Sequence, residues 1–210
     1  IKLWTRPFYR EDENLFLFFV DVQGLDNDDR FANFVWMLSF LVGTIMIYQS
    51  SGDITERSFD NMSGLNFVAS ALRLSAEETE NGYMMSYYAP KLIWVLKDHR
   101  RLEDADGKLL IPDHYLESCL LEPSNNPELA SIKRFISGAI KERNCVAFGP
   151  FAGVDEMYAY TVSVLKERIY SRSFCKYFDG VPFNARMLVN FMVGYVELYN
   201  ADSYIEYYDM

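Results

Sequence analysis

The chain has 210 residues, which suits one domain, or one domain with a short addition, and is long enough to bury a core. Half of it is hydrophobic and 24% is charged, which excludes a disordered polymer, and a net charge of −10 at pH 7 argues against nucleic acid as a partner. Cys119, Cys145 and Cys175 are odd in number and widely spaced, with no CxxC, so neither a disulfide framework nor a zinc ribbon is expected and a reducing, cytoplasmic compartment fits.

In chain order, Leu15-Phe16-Leu17-Phe18-Phe19-Val20 is a continuous apolar run that predicts a strand covered on both faces and ending at Asp21. Phe31 to Gly52 carries no charge and imitates a membrane span on hydropathy alone. Asn33 and Gly43-Thr44 interrupt it, and Ile45-Met46-Ile47-Tyr48 are strand formers. It is therefore read as a buried helix over about 30–42 and a buried strand over about 44–49. Phe59, Met62, Leu65, Val68 and Leu72 recur at helical spacing, and Leu92 to Leu96 repeat the buried-strand pattern before stopping at Lys97-Asp98.

Pro112-Asp113 and Pro127-Glu128 open predicted helices over about 112–121 and 127–142. Each places proline where an N–H is dispensable and an acid where the helix dipole favours it. A short strand, Cys145 to Phe148, precedes a helix running to about 172, whose apolar stripe is Val154, Tyr158, Val162, Leu165 and Ile169. After an Asp179-Gly180 turn a last helix spans about 183–199. The alternation predicts an α/β domain over 1–172, a mostly parallel sheet flanked by helices, and over 173–210 the beginning of an α-helical domain.

Ligands of open α/β sheets bind outside the carboxyl ends of the strands, where Asp21 and Asp98 both fall. Asp21-Val22-Gln23-Gly24 has the DxxG form of a GTP-hydrolysing switch: an acid for the Mg²⁺ shell and a glycine whose bare backbone approaches the γ-phosphate. Asp98 suits the ring N–H and amino group of guanine, and the stem of Lys97 suits the plane of the base. The phosphate end and the base end are expected on one sheet edge. There is no GxxxxGK[ST], the one Gly-Lys being Gly107-Lys108 followed by Leu109, and no NKxD. A phosphate loop would lie upstream of Ile1 or be absent. With no start Met and no signal peptide, the chain reads as cut from something longer.

These residues resemble the large GTPases of the guanylate-binding protein and atlastin type, within the dynamin superfamily. Ile1-Lys2-Leu3-Trp4 with Pro7 is similar to the segment after switch I. Val20 to Leu25 is similar to the family's Asp-Thr-Glu-Gly or Asp-Thr-Gln-Gly stretch, and Ile45 to Ile54 to its Tyr-Asn-Ser-x-Gly strand end. Trp94-Val95-Leu96-Lys97-Asp98 stands where the family reads guanine. Leu102 to Gly107 with Pro112-Asp113-His114-Tyr115-Leu116 resembles a family insert that no generic GTPase chemistry demands. Tyr170 to Ser173, then Gly180-Val181 and the last helix, resemble the start of the helical middle domain.

The resemblance implies a P-loop-GTPase-like fold lacking its N-terminal phosphate-loop unit, and GTP hydrolysis by the parent protein with this chain alone inactive. It implies GTP or GDP with Mg²⁺ as cofactors, nucleotide contacts from Asp21, Gln23, Gly24, Lys97 and Asp98, and Mg²⁺ held by Asp21 through water. No catalytic residue is assigned within the chain. It further implies a homodimer through the nucleotide domain and leaves room for membrane association through regions outside this chain. Lys97 replaces the family's Arg and Val22 its Thr. The alternative is a pseudo-GTPase serving as a binding or dimerisation module. Cys145 is read as a core residue and His99 as a loop residue near the base without a catalytic role. Arg100-Arg101 is read as solvated loop, and Tyr199, Tyr204, Tyr207 and Tyr208 as a helix face whose packing partners lie elsewhere.

Overall fold

Three strands set the frame: β5 (Ile45–Ser51), β6 (Lys91–Lys97) and β7 (Arg143–Ala147) pair in parallel in the order β5-β6-β7. The computed structural model describes residues 2–3, 6–22, 30–72, 88–99, 108, 110–150, 156–178 and 180–201. Ahead of β5 come β1 (Lys2–Leu3), β2 (Phe8–Arg10), β3 (Leu15–Leu17), β4 (Val20–Asp21) and α1 (Arg30–Val42). The crossover from β5 to β6 contains α2 (Glu56–Asp60) and α3 (Gly64–Ala71), and the crossover from β6 to β7 contains α4 (Pro112–Leu121) and α5 (Pro127–Ala139). The chain then runs through α6 (Glu156–Arg172), β8 (Tyr177–Phe178), β9 (Val181–Pro182) and α7 (Ala185–Asn200).

Side chains alternate across a strand, and β6 uses the alternation to join two cores. Leu92, Trp94 and Leu96 enter the larger one with α1 to α5, while Ile93 and Val95 join Val146 and Phe148 in a smaller one. Tyr158, Val162, Leu165 and Ile169 of α6 cover the smaller core, four of the five stripe residues expected from spacing; the fifth, Val154, lies outside the described residues. Helices thus flank both faces of a parallel sheet, the arrangement that strands without an alternating polar face require. The buried indole N–H of Trp94 donates to Ser50 Oγ at 2.9 Å, so the largest core side chain leaves no unpaired donor.

The charge-free stretch resolves into α1 followed by β5, and among the described residues no helix is long and apolar enough to cross a membrane. Gly64 marks the closest approach of α3 to α1, since a Cβ there would lie 2.0 Å from Trp36 Cδ1. The helical pattern over 59–72 is two helices rather than one, broken by a turn at 61–63. The predicted helix 127–142 ends instead at Ala139, because Arg143 NH1 donates to the carbonyls of Ile136 and Ser137 and caps the last turn.

The run 15–20 departs from expectation. It is not one strand covered on both faces but two short ones, with β3 pairing β2 in an antiparallel hairpin and β4 pairing β1. Phe16, Phe18, Phe19 and Val20 are exposed. A hairpin closes through a four-residue turn at 11–14, a small entropic cost, whereas a place beside β5 needs a partner strand on that edge. None of the described strands occupies it. Arg10 fastens the hairpin to the rest: its buried guanidinium donates to the Ser173 and Tyr170 carbonyls at the end of α6 and pairs with Asp12 and Glu13. That hydrogen bond and charge hold the Asp12 carboxyl below its ordinary range.

Candidate functional site

The carboxyl ends of β5, β6 and β7 converge, and backbone hydrogen bonds lock their exits together. Gly52 N–H donates to Lys97 O at 2.7 Å, Phe148 N–H to Leu96 O at 2.8 Å, and His99 N–H to Phe148 O at 2.9 Å. Asp98 lies between two pinned peptide groups and adopts a left-handed conformation with φ 55°. Aspartate tolerates that region better than most residues, at a cost of about 1 kcal/mol or more. Both Asp98 and Lys97 are exposed.

Beneath this exposed pair sits a second layer. His99 is buried, and its Nε2 lies 2.6 Å from Asp53 Oδ1, in the turn that follows β5. The contact is close but does not have the alignment of a hydrogen bond. The imidazole also packs edge-on to Tyr115, with centroids 6.0 Å apart, and Tyr115 Oη accepts the Ile54 N–H at 3.1 Å. Burial pushes the Tyr115 hydroxyl up to about 12, so it stays a neutral hydrogen-bonding group at physiological pH.

Asp113, the acid that opens α4, has a structural task. Its carboxylate takes both guanidinium nitrogens of Arg168 at 2.9 and 3.0 Å and accepts the Cys145 N–H at 2.6 Å, joining α4, α6 and β7. Cys145 is buried in the sheet and its thiol is pushed up to about 12 by burial, which makes it a core residue and not a nucleophile.

The expected site residues are only partly brought together. Lys97 and Asp98 stand where expected, at the carboxyl edge of the parallel sheet. Asp21 ends β4, is exposed, and belongs to the separate two-stranded ribbon with β1, so the expectation of a phosphate end and a base end on one sheet edge does not hold among the described residues. The reason is that of the run 15–20: the strand bearing Asp21 pairs locally and not with β5. Gln23 and Gly24 lie outside the described residues, as does the 102–107 part of the insert. Among the described residues no three His, Cys, Asp or Glu side chains cluster to hold a metal. Sequence reasoning gave His99 no role and passed over Asp53. A signal was present, since Asp53 follows the Gly52 turn that closes β5 and His99 follows Asp98.

A parallel sheet covered on both faces, with polar strand exits gathered at its carboxyl edge, fits a GTPase-like α/β domain. The family model described as "Guanylate-binding protein, N-terminal domain" matches residues 1–178, and the chain belongs to that family. Guanylate-binding protein 3 of Homo sapiens is 27% identical over 128 residues, covering 57% of this chain and 21% of the relative. Guanylate-binding protein 1 of Homo sapiens is 26% identical over 127 residues, 55% of this chain and 21% of the relative. Guanylate-binding protein 7 of Mus musculus is 20% identical over 229 aligned positions, 96% of this chain and 36% of the relative. The chain therefore spans well under half the length of these relatives.

Proposed function

We propose that this chain is the greater part of a guanine-nucleotide-binding domain, over 1–172, with 173–210 beginning a helical domain, in a parent protein that binds and hydrolyses GTP. The observation that carries this reading is Asp98: an exposed carboxylate in a left-handed backbone, fixed by hydrogen bonds from both neighbouring strand exits, at the edge where open α/β sheets take ligands. Asp98 accepts hydrogen bonds from the guanine edge, and the stem of Lys97 lies along the base. Lys97 supplies charge without the planar fork of an arginine, which makes it a weaker clamp. Gln23 and Gly24 follow Asp21 in the DxxG stretch and are assigned to the phosphate side. Mg²⁺ would supply charge neutralisation to the phosphates, and Asp21 is the residue of this chain that would hold it, through water. Pairing of two nucleotide domains, a cytoplasmic location and membrane attachment through other regions are part of the same proposal, resting on family membership alone.

Among the described residues no strand pairs with the outer edge of β5, where Ile47 is 41% exposed, which supports a further strand there, as a phosphate-loop unit would provide. Asp21's place off the main sheet favours a second reading, a nucleotide-domain relative that serves as a binding or dimerisation module without hydrolysis.

Calorimetry with GTPγS and Mg²⁺ tests the proposal. The 210-residue chain is expected to bind weakly. A few hydrogen bonds to the base, each worth about 0.5–1.5 kcal/mol, or up to about 3 when charged, do not offset association costs of at least about 4 kcal/mol once phosphate-loop contacts are missing. The complete protein is expected to bind and to hydrolyse GTP. Micromolar, guanine-selective binding by the 210-residue chain would overturn the missing-unit account, and a complete protein that binds without turnover would establish the second reading.

A further inference from the structure

We propose that His99 and Asp53 are positioning residues for guanine recognition, a buried imidazole and an exposed carboxylate that tie the exit of β6 to the exit of β5 and so hold Asp98 in its left-handed conformation. The inference deepens the base-reading assignment of Asp98 and rests on it. Asp98 has two neighbours through which its orientation is set. On one side Lys97 O receives the Gly52 N–H, and on the other the His99 peptide is fixed to Phe148 O. Side chains add a second link between the turn 52–54 and the segment after Asp98: His99, two residues beyond β6, reaches Asp53 at 2.6 Å while its ring packs edge-on to Tyr115, whose hydroxyl holds the Ile54 N–H.

The arrangement is more than core packing. His99 is a buried polar side chain whose Nε2 lies beside the Asp53 carboxylate with no aligned hydrogen bond, a costly choice where an apolar side chain would serve for packing. Asp53 is exposed, so its carboxylate adds little to the stability of the core and its effect is local. Both groups sit on turns and not in strands, where they act on the orientation of the Asp98 peptide and leave the sheet register unchanged. No catalytic role is assigned to them.

The experiment measures GTPγS affinity of the complete protein by fluorescence titration in Asp53→Ala, His99→Ala and His99→Gln, each alone and in an Asp98→Ala background. Asp53→Ala and His99→Ala should each weaken binding about tenfold, the scale of losing one charged hydrogen bond from the base. His99→Gln, whose amide N–H reaches the same carboxylate, should recover most of that loss. In the Asp98→Ala background the same substitutions should have no further effect, because there is no base contact left to position. Asp53→Ala, at an exposed site, keeps the test decisive if His99→Ala fails to fold. Loss of the same size in both backgrounds, or unchanged affinity in Asp53→Ala, would overturn the positioning role. Unchanged affinity in Asp98→Ala itself would instead overturn the base reading on which it rests.

Discussion

Lys176 is 3% exposed, yet its ammonium meets three acceptors: Nζ donates to the carbonyls of Phe40 at 3.3 Å, Leu41 at 2.6 Å and Gly43 at 2.9 Å. These are the orphaned carbonyls at the end of α1, where the helix dipole favours a cation. Desolvation works against the charge and pushes the amine down to about 7. The unfolded chain therefore holds more protons than the folded one from about pH 7 to the ordinary lysine range. Stability attributable to this residue rises with pH across that window, by at most about 1.4 kcal/mol per pH unit, and its burial cost is fully present below pH 7. Urea denaturation at pH 6.5, 8 and 9.5 should show this rise in the wild type and lose it in Lys176→Met, which should also be less stable at pH 8 because the carbonyls at the end of α1 lose their buried donor. Parallel pH profiles for the two proteins would refute the assignment.

Among the elements, α4 carries the clearest prediction. Its opening Asp113 holds Arg168 of α6 bidentately and caps the Cys145 N–H, while Glu117 one turn later holds Arg143 at 2.9 and 2.8 Å. Removing one partner of such a half-buried pair strands the other charge. Asp113→Ala should therefore cost about 2–4 kcal/mol in urea denaturation, and Asp113→Asn, which keeps an acceptor for the Cys145 N–H, should cost less. Equal and small effects would show that the latch adds nothing to stability.

How far the elements were legible in sequence follows from what each depends on. Strands β5 and β6 and helices α1 and α4 stand within two residues of expectation because their patterns are local: charge-free apolar runs, proline starts and a 3.6-residue stripe. The 59–72 helix failed at a turn that apolar spacing does not reveal. The 15–20 strand failed because its identity depends on which edge it pairs with, a long-range choice invisible in the run itself. Lys97 and Asp98 were legible as residues at the end of a buried strand. The left-handed backbone of Asp98 was not, because it is set by the neighbouring exits, and neither was the contact between His99 and Asp53, which are 46 positions apart.

At the scale of the whole molecule, the parallel sheet and its helices form the main core, while β1 to β4 lie apart from it as two ribbons. Phe8, Tyr9, Phe16, Phe18 and Phe19 are exposed there. At the other end α7 is bound to the sheet domain by aromatic contacts. Phe34 of α1 stacks on Tyr195 at 4.7 Å and meets Tyr199 at 4.6 Å, and Arg30 lies over the Tyr199 ring. Tyr199 thus has its packing partners on α1, which answers the expectation that its helix face looks elsewhere for them. Tyr204, Tyr207 and Tyr208 lie outside the described residues. α7 is thus seated on α1, whose end is capped by Lys176.

The central claim, that this edge reads guanine through Asp98, is tested most directly by replacing the acceptor it depends on. In the complete protein, affinities for GTP and XTP are measured by competition titration for the wild type and for Asp98→Asn. The asparagine amide offers a donor where xanthine carries a carbonyl. Asp98→Asn should therefore weaken GTP and strengthen XTP, moving the affinity ratio by about tenfold or more. An unchanged GTP to XTP ratio would remove Asp98 from the base site and contradict the account.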